Sequence, residues 1–129
     1  MDFANFSSTQ SKSPAIGNLI TKLLKSVPYV HHEHLTTTSY ERHITLQQYY
    51  EGMPGVVDTL AEASIARGYP QSFDAQFNLI SFEQLLNDAM SECNAVHKIL
   101  EKDGMWDLTN ALEDIMTFIS SVQYKLRLK

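Results

Sequence analysis

The sequence contains very little cysteine, which restricts the sites that it can build. Cys93 is the single cysteine of the 129 residues, so an internal disulfide and a cysteine-based zinc site are both excluded. It lies in an apolar helical pattern, which predicts a buried structural thiol rather than a nucleophile. The sequence also has no Ser/His/Asp triad, glycine-rich phosphate loop or CxxC pair, so hydrolase, kinase and thiol-redox functions are not indicated.

Positive charge is scarce as well. The chain has 10 Lys and Arg against 15 Asp and Glu, a formal net charge of −5. The basic residues are scattered, apart from a small C-terminal group of Lys125, Arg127 and Lys129. Binding to a phosphate backbone needs clustered cations, so we expect no nucleic-acid partner.

Long apolar runs are missing too. No run approaches the roughly 20 residues that cross a bilayer, so we expect no membrane partner. Residues 1–13 lack the basic start and apolar segment of a signal peptide, and their Ser, Thr and Gln content predicts a flexible N-terminal segment. The sequence therefore predicts a cytoplasmic protein with a single helical-bundle domain over residues 14–129.

Apolar residues recur at helical spacing in four segments, and no strand pattern competes with them. The spacing predicts helices over about 14–35, 39–67, 81–102 and 107–126. Pro28 is expected to bend or divide the first helix, and Pro54-Gly55 to kink or break the second. Two helical hairpins joined by a longer connection, residues 69–80, predict an all-α four-helix bundle.

Four of the five histidines lie in one stretch, HHEHLTTTSYERH, residues 31–43. If the first two helices are antiparallel around a turn near Thr37, His31 and His43 are equidistant from that turn and face one another. His34 lies one turn beyond His31 and shares its face, whereas His32 points about 100° away. Imidazoles that meet between two helices suit Fe²⁺, Zn²⁺ or another transition metal.

Such an ion also needs carboxylate ligands, which we expect among the inward-facing acidic residues. Asp58 and Glu62 are the nearest, spaced i, i+4 on the second helix. They lie about 22 and 28 Å beyond His43 along a helix, too far for one chain to bring them to its own histidines. A second chain related by a two-fold axis can do so, because antiparallel pairing sets the start of one second helix against the end of the other. The sequence thus predicts a homo-oligomer, at least a two-fold dimer, with a metal site made of His31, His34, His43, Asp58 and Glu62.

The spacing of these residues resembles a known family. His31, His43, Asp58 and Glu62 resemble the ferroxidase ligands of the starvation-induced DNA-binding mini-ferritins (Dps-type), in which two histidines of one subunit meet an Asp/Glu pair of its two-fold mate. The stretch HLTTTSYERHITLQQYYEGMPGVVDTLAEA also resembles ferritin-like proteins encoded by tailed bacteriophages. The positions that carry this likeness are His34, Ser39, Tyr40, His43, Tyr50, Asp58 and Glu62.

The resemblance covers residues 30–68 and carries several implications. It implies a ferritin-like bundle that binds iron, with zinc or no metal as alternatives. Where the metal site is intact, it implies oxidation of bound iron by peroxide or O₂. It also implies that the protein works in the host cytoplasm, with the virion as an alternative.

Two alternatives remain open. The histidines could be helix-end residues that hydrogen-bond threonine hydroxyls and backbone carbonyls, with Asp58 and Glu62 on the solvated surface. The protein could also be a non-enzymatic helical oligomer, either a structural or assembly component or one that sequesters a small anionic ligand. Such a ligand would be held by the hydroxyls of residues 36–39, the histidines and Arg42.

Overall fold

The computed structural model describes residues 12–128, which contain four α-helices and no strand. We number them α1 Ala15–Thr36, α2 Tyr40–Ala66, α3 Phe82–Lys102 and α4 Trp106–Leu126. The predicted all-α class is confirmed, and each predicted helix boundary holds to within one residue. The predicted flexible segment lies outside the described residues except for Lys12 and Ser13, and Lys129 lies outside them too.

The helices form a four-helix bundle in which each packs against two neighbours. The order around the bundle is α1, α2, α4, α3. Neighbouring helices are antiparallel. For α3 and α4, this is shown by the contacts of His97 with Glu113 and of Asn87 with Gln123. Helices α2 and α3 therefore run in the same direction, and residues 67–81 must return along the bundle to join them. The predicted long crossover between the two hairpins is confirmed. A bundle with one such crossover has the arrangement of ferritin-like folds.

The crossover, residues 67–81, lies against one stripe of α1. The stripe consists of residues one turn apart: Gly17, Thr21, Lys25 and Tyr29. Each meets a backbone carbonyl of the crossover, those of Pro70, Ser72, Ala75 and Ile80. At Gly17 a Cβ atom would lie 2.4 Å from the Pro70 oxygen, so only glycine permits this approach. The side chains of α1 thus satisfy carbonyls of a segment that has no secondary structure of its own.

Both helices of the first hairpin remain continuous through a proline. Pro28 lies inside α1 and Pro54 lies inside α2, so of the two expected outcomes, bending and division, division does not occur. An internal proline costs about 3 kcal/mol because it removes a hydrogen bond and crowds the preceding turn. Each proline is flanked by buried side chains, Ser26 and Val30 in α1, and Met53 and Val57 in α2. Burial on both sides holds the helix together.

Two helices end where the sequence predicts, and the cause is local. Gly68 and Gly104 follow α2 and α3 with φ of +83° and +71°, a conformation that favours glycine. The N–H of Gly68 donates to the carbonyl of Ile65, and the next N–H donates to that of Ser64. The same two bonds close α3, and both ends are Schellman motifs. Ser39 and Ser81 cap the starts of α2 and α3.

The surface includes several large apolar side chains. Three lie on α2: Tyr40, Ile44 and Ile65, which are 73%, 46% and 58% exposed. Tyr40 and Ile44 are at the start of α2 and Ile65 is at its end. None of the helices in residues 12–128 has the length and apolar character needed to span a bilayer.

Candidate functional site

The turn between α1 and α2 consists of Thr37, Thr38 and Ser39, and its hydroxyls are used locally. The Ser39 hydroxyl accepts a hydrogen bond from the N–H of Arg42 at 3.2 Å, which caps α2. The Ser39 N–H donates to the Thr37 hydroxyl at 3.3 Å. Because α1 ends at Thr36 and α2 begins at Tyr40, the centre of the turn is Thr38, one residue later than the expected centre.

His34 and His43 join the two helices through a reciprocal pair of hydrogen bonds. Nδ1 of His34 donates to the backbone carbonyl of His43 at 2.7 Å, and Nδ1 of His43 donates to that of His34 at 2.8 Å. The rings stack with centroids 3.6 Å apart and planes at 20°. His34 is 6% exposed and His43 is half-buried. We call this pair the histidine clasp.

The clasp satisfies a carbonyl at a helix end. The last four carbonyls of an α-helix have no partner within the helix. His34 lies in the last turn of α1, which ends at Thr36, and His43 donates to the carbonyl of His34. Because a carbonyl only accepts, both Nδ1 atoms carry a hydrogen, and the lone pair of each neutral ring is on Nε2. This bonding to backbone carbonyls is what the structural alternative predicted for these histidines.

Three further aromatic rings extend the clasp. The ring of His31 stacks on Tyr50 at 3.9 Å and 7°. Tyr50 meets His34 edge-on at 5.1 Å, and Tyr40 lies 6.4 Å from His43. The stack of His31 on Tyr50 lies beside the stack of His34 on His43. The rings of His31 and His34 are 6.0 Å apart and inclined by 63°. We call these five residues the histidine–tyrosine cluster.

The expected pairing of His31 with His43 is wrong. His43 stacks on His34, while His31 stacks on Tyr50, two turns further along α2. The turn lies later than expected, because His34 and His43 are equidistant from a point between Thr38 and Ser39 rather than from Thr37. The structure does bring together His31, His34 and His43, and His32 is exposed beside them.

The geometry of the clasp limits how a metal ion could be held. The lone pair of an imidazole nitrogen lies in the plane of its ring, so two nearly parallel rings cannot both point at one ion about 2.0–2.1 Å away. The clasp can give an ion one nitrogen, and His31, inclined to His34, can give another. Within residues 12–128, no three His, Cys, Asp or Glu side chains are close enough to hold an ion. The described part of one chain does not supply a complete metal site.

Asp58 and Glu62 lie on the outer face of α2, so the expectation that they face inward is wrong. The core stripe of α2 is formed instead by residues such as Val57 and Leu60, and the 100° turn per residue directs Asp58 and Glu62 outward. Arg67, which lies five residues after Glu62, pairs with Asp107 at 3.1 Å. Both carboxylates are thus accessible to a second chain.

Arg42 is held by two carboxylates. Its guanidinium makes bonds of 2.6 and 3.1 Å to Glu83 of α3 and one of 3.2 Å to Glu33 of α1. The hydrogen bonds to Glu83 are the main reason why the pKa of Arg42 is raised, and they lower the pKa of Glu83. The second oxygen of Glu33 is buried and has no hydrogen-bond partner in the described residues. Arg42 therefore joins three helices, and it also lines a cavity of about 330 Å³ together with Ser39 and Lys125.

Sequence reasoning missed one member of this region. Tyr50 carries part of the resemblance, and it lies seven residues after His43, a spacing that places it on the face of α2 that meets α1. Glu83 lies 41 residues from Arg42, and no pattern in the sequence links the two. The contact between Arg42 and Glu83 depends on the path of the crossover.

A family model described as "Family of unknown function (DUF5856)" matches residues 34–126. The match includes the histidine clasp, both outer carboxylates and the helices α2 to α4. No curated protein and no solved structure matches the chain.

Proposed function

We propose that this chain, which belongs to the DUF5856 family of unknown function, is an oligomeric metal-binding bundle with a site shared between two chains. The ligands from one chain are His31 and one imidazole of the histidine clasp. Asp58 and Glu62 of a second chain complete the set. The bundle with a single crossover supports this proposal, because ferritin-like folds of this topology carry metals.

The observation that carries the proposal is the hydrogen bond of each clasp imidazole to a backbone carbonyl. Metal-binding histidines almost always donate their other ring N–H to a carbonyl or carboxylate, which fixes the tautomer and the ring orientation. His34 and His43 both do so through Nδ1, which reserves Nε2 for another partner. Fe²⁺ held by these residues would be oxidised to Fe³⁺ by peroxide or O₂.

The exposed residues on the outer face of α2 favour a contact with a second chain. Ile44, Asp58, Glu62 and Ile65 are all exposed. Glu62 follows Ile44 by eighteen residues, which is five full helical turns, so the two point in the same direction. An antiparallel α2 of a second chain would cover apolar side chains at both ends of this face and bring carboxylates toward the clasp.

A second candidate function is a purely structural oligomer. The stacking of His34 on His43 favours it, because the rings and both Nδ1 atoms are already used to close the hairpin. In this case the same face of α2 joins chains, and no ion is held there. The two candidates share the oligomer and differ in bound metal.

Metal content and oligomeric state test the proposal together. The purified protein is loaded with Zn²⁺, or anaerobically with Fe²⁺, dialysed, and measured for metal per chain and for mass by light scattering. We expect a dimer or larger oligomer that retains metal, and a loss of most of that metal in His31→Ala and in Asp58→Asn. His32→Ala is the matched control, because His32 is exposed, adjacent in sequence and outside the cluster.

Mixed dimers of His31→Ala and Asp58→Asn, purified with two affinity tags, distinguish a shared site from two independent ones. One of their two sites carries both lesions and the other is intact, so the metal content should return to half that of the wild type. A strict monomer at micromolar concentration contradicts both candidates. An oligomer that retains no metal contradicts the first candidate and supports the second.

A further inference from the structure

A groove lies between α1 and α3, away from the histidine–tyrosine cluster. It has a volume of about 500 Å³ and is closed on one side by residues 76–80 of the crossover. Its apolar lining consists of Leu19, Leu23, Phe77, Ile80, Leu85 and Ala89. Sites for small molecules in proteins are typically about 300–1,000 Å³, mostly apolar and equipped with a few polar groups, and the groove has these properties.

The charges that line the groove sum to a negative value. They are Lys22, Asp88 and Glu92, which leaves one negative charge in excess. Lys22 pairs with Glu92 at 3.0 Å across the space between α1 and α3. Asp88 accepts a hydrogen bond from the Gln84 amide at 2.6 Å, and no cationic side chain of residues 12–128 forms an ion pair with it. The uncompensated carboxylate therefore belongs to Asp88.

We propose that this groove binds a small organic cation, an amine carried on an aromatic or branched aliphatic body. The body lies on the apolar lining, where Phe77 adds an aromatic ring. The ammonium group lies at the carboxylates of Asp88 and Glu92, where it supplies the positive charge that the groove lacks. A carboxylate on the same body would instead meet an excess negative charge.

The crossover gives this groove its shape. Residues 76–80 are anchored to α1 on both sides of Phe77. The Lys25 ammonium donates to the Ala75 carbonyl at 2.8 Å, the Tyr29 hydroxyl donates to the Ile80 carbonyl at 2.6 Å, and the Phe77 ring packs edge-on against Tyr29 at 5.4 Å. The wall of the groove is therefore held in place before a ligand arrives, which reduces the entropy cost of binding.

Two probes of the same body and opposite charge test the proposal in the wild-type protein. The ¹⁵N-labelled full chain is titrated with tryptamine and, separately, with indole-3-propionate, and the amide shifts are followed by NMR. We expect tryptamine to give saturable shifts at Leu19, Leu23, Phe77 and Ala89, with a Kd at least tenfold lower than that of the carboxylate. Equal affinity for the two probes, tighter binding of the carboxylate, or no saturable shift at these residues overturns the proposal.

Substitutions of the charged residues that line the groove should change the affinity for tryptamine in opposite directions. Asp88→Asn and Glu92→Gln should each weaken tryptamine binding roughly tenfold, the usual value of a hydrogen bond to a charged group. Lys22→Gln should strengthen it, because one competing cation is removed. Asp114→Asn on α4 is the matched control, since it removes one negative charge outside the groove. A loss of affinity in Asp114→Asn equal to that in Asp88→Asn would mean that only net charge matters and would overturn the site.

Discussion

The two helical hairpins of this bundle are built in different ways. The α3–α4 hairpin has regular apolar stripes, no internal proline and a Schellman motif at its turn. The α1–α2 hairpin has a proline inside each helix, four histidines and a turn of Thr and Ser. Sequences depart from regular helix rules mainly where function or strain requires it, and the proposed metal site lies in this first hairpin.

The hairpins also differ in how their polar side chains are used. In α3–α4, His97 forms exposed ion pairs with Glu101 and Glu113. In α1–α2, His34 is buried and hydrogen-bonded to the backbone of the opposite helix. Buried polar groups are costly to leave unpaired, whereas exposed ion pairs contribute little. The same residue type should therefore have unequal importance in the two hairpins.

The largest expected effect comes from breaking the histidine clasp. His34→Ala removes a buried ring. The carbonyl of His43 loses the hydrogen bond from Nδ1 of His34, and the ring of His43 loses its stacking partner. We expect it to lower the free energy of unfolding by about 2–3 kcal/mol, and His97→Ala by less than about 1 kcal/mol. Urea unfolding followed by circular dichroism measures both. Equal losses at the two histidines would contradict the distinction between the hairpins.

A smaller effect is expected at the contact between α1 and the crossover. Gly17→Ala places a Cβ atom against the backbone of Pro70, which must move, and we expect a loss of about 1–3 kcal/mol in the free energy of unfolding. Gly55→Ala is the matched control in the same hairpin, because nothing lies within 4 Å of a Cβ there. It should stabilise the protein by about 0.5–1 kcal/mol through helix propensity. A neutral Gly17→Ala in thermal and urea unfolding would show that the crossover is not held closely against α1.

The smallest effect is a pH dependence in the second hairpin. The hydrogen bond that the His97 ring donates to Glu113 raises the pKa of His97 above its ordinary value, with Glu101 adding to it. A raised pKa in the folded state means that this contribution is fully present below the unfolded pKa, about 6.5, and is lost as the pH rises through the folded pKa. Both glutamates are about half exposed, so the contribution should be below about 1 kcal/mol.

The free energies of unfolding of wild type and His97→Gln, compared at pH 5.5 and 8.5, measure this contribution. The difference between the two proteins should be larger at the lower pH. Adding Glu113→Gln to both should remove most of that change. A difference that grows toward pH 8.5 would have the wrong sign for this ion pair.

The local features of the sequence determined the helices and their ends. Periodic apolar residues, the serine caps at Ser39 and Ser81 and the glycines Gly68 and Gly104 each act within a few residues, so they could be recognised without the fold. The single crossover also followed, because the two short turns and one long connection were visible in the spacing. The prolines did not divide their helices, because their local cost was outweighed by burial on both sides.

Only the tertiary structure decided the arrangement of the site. A turn that lies only slightly later in the chain than expected placed His34, rather than His31, opposite His43. Each residue turns the side chain by 100°, so a small shift of the turn changes which residues face one another. The rotation of α2 about its axis decides that Asp58 and Glu62 point outward. The path of the crossover decides where α3 begins, and thus that Arg42 pairs with Glu83. The negative groove between α1 and α3 joins residues far apart in the chain. Local propensities determine which segments are helical, whereas packing between helices sets their register and rotation, and these decide which side chains meet.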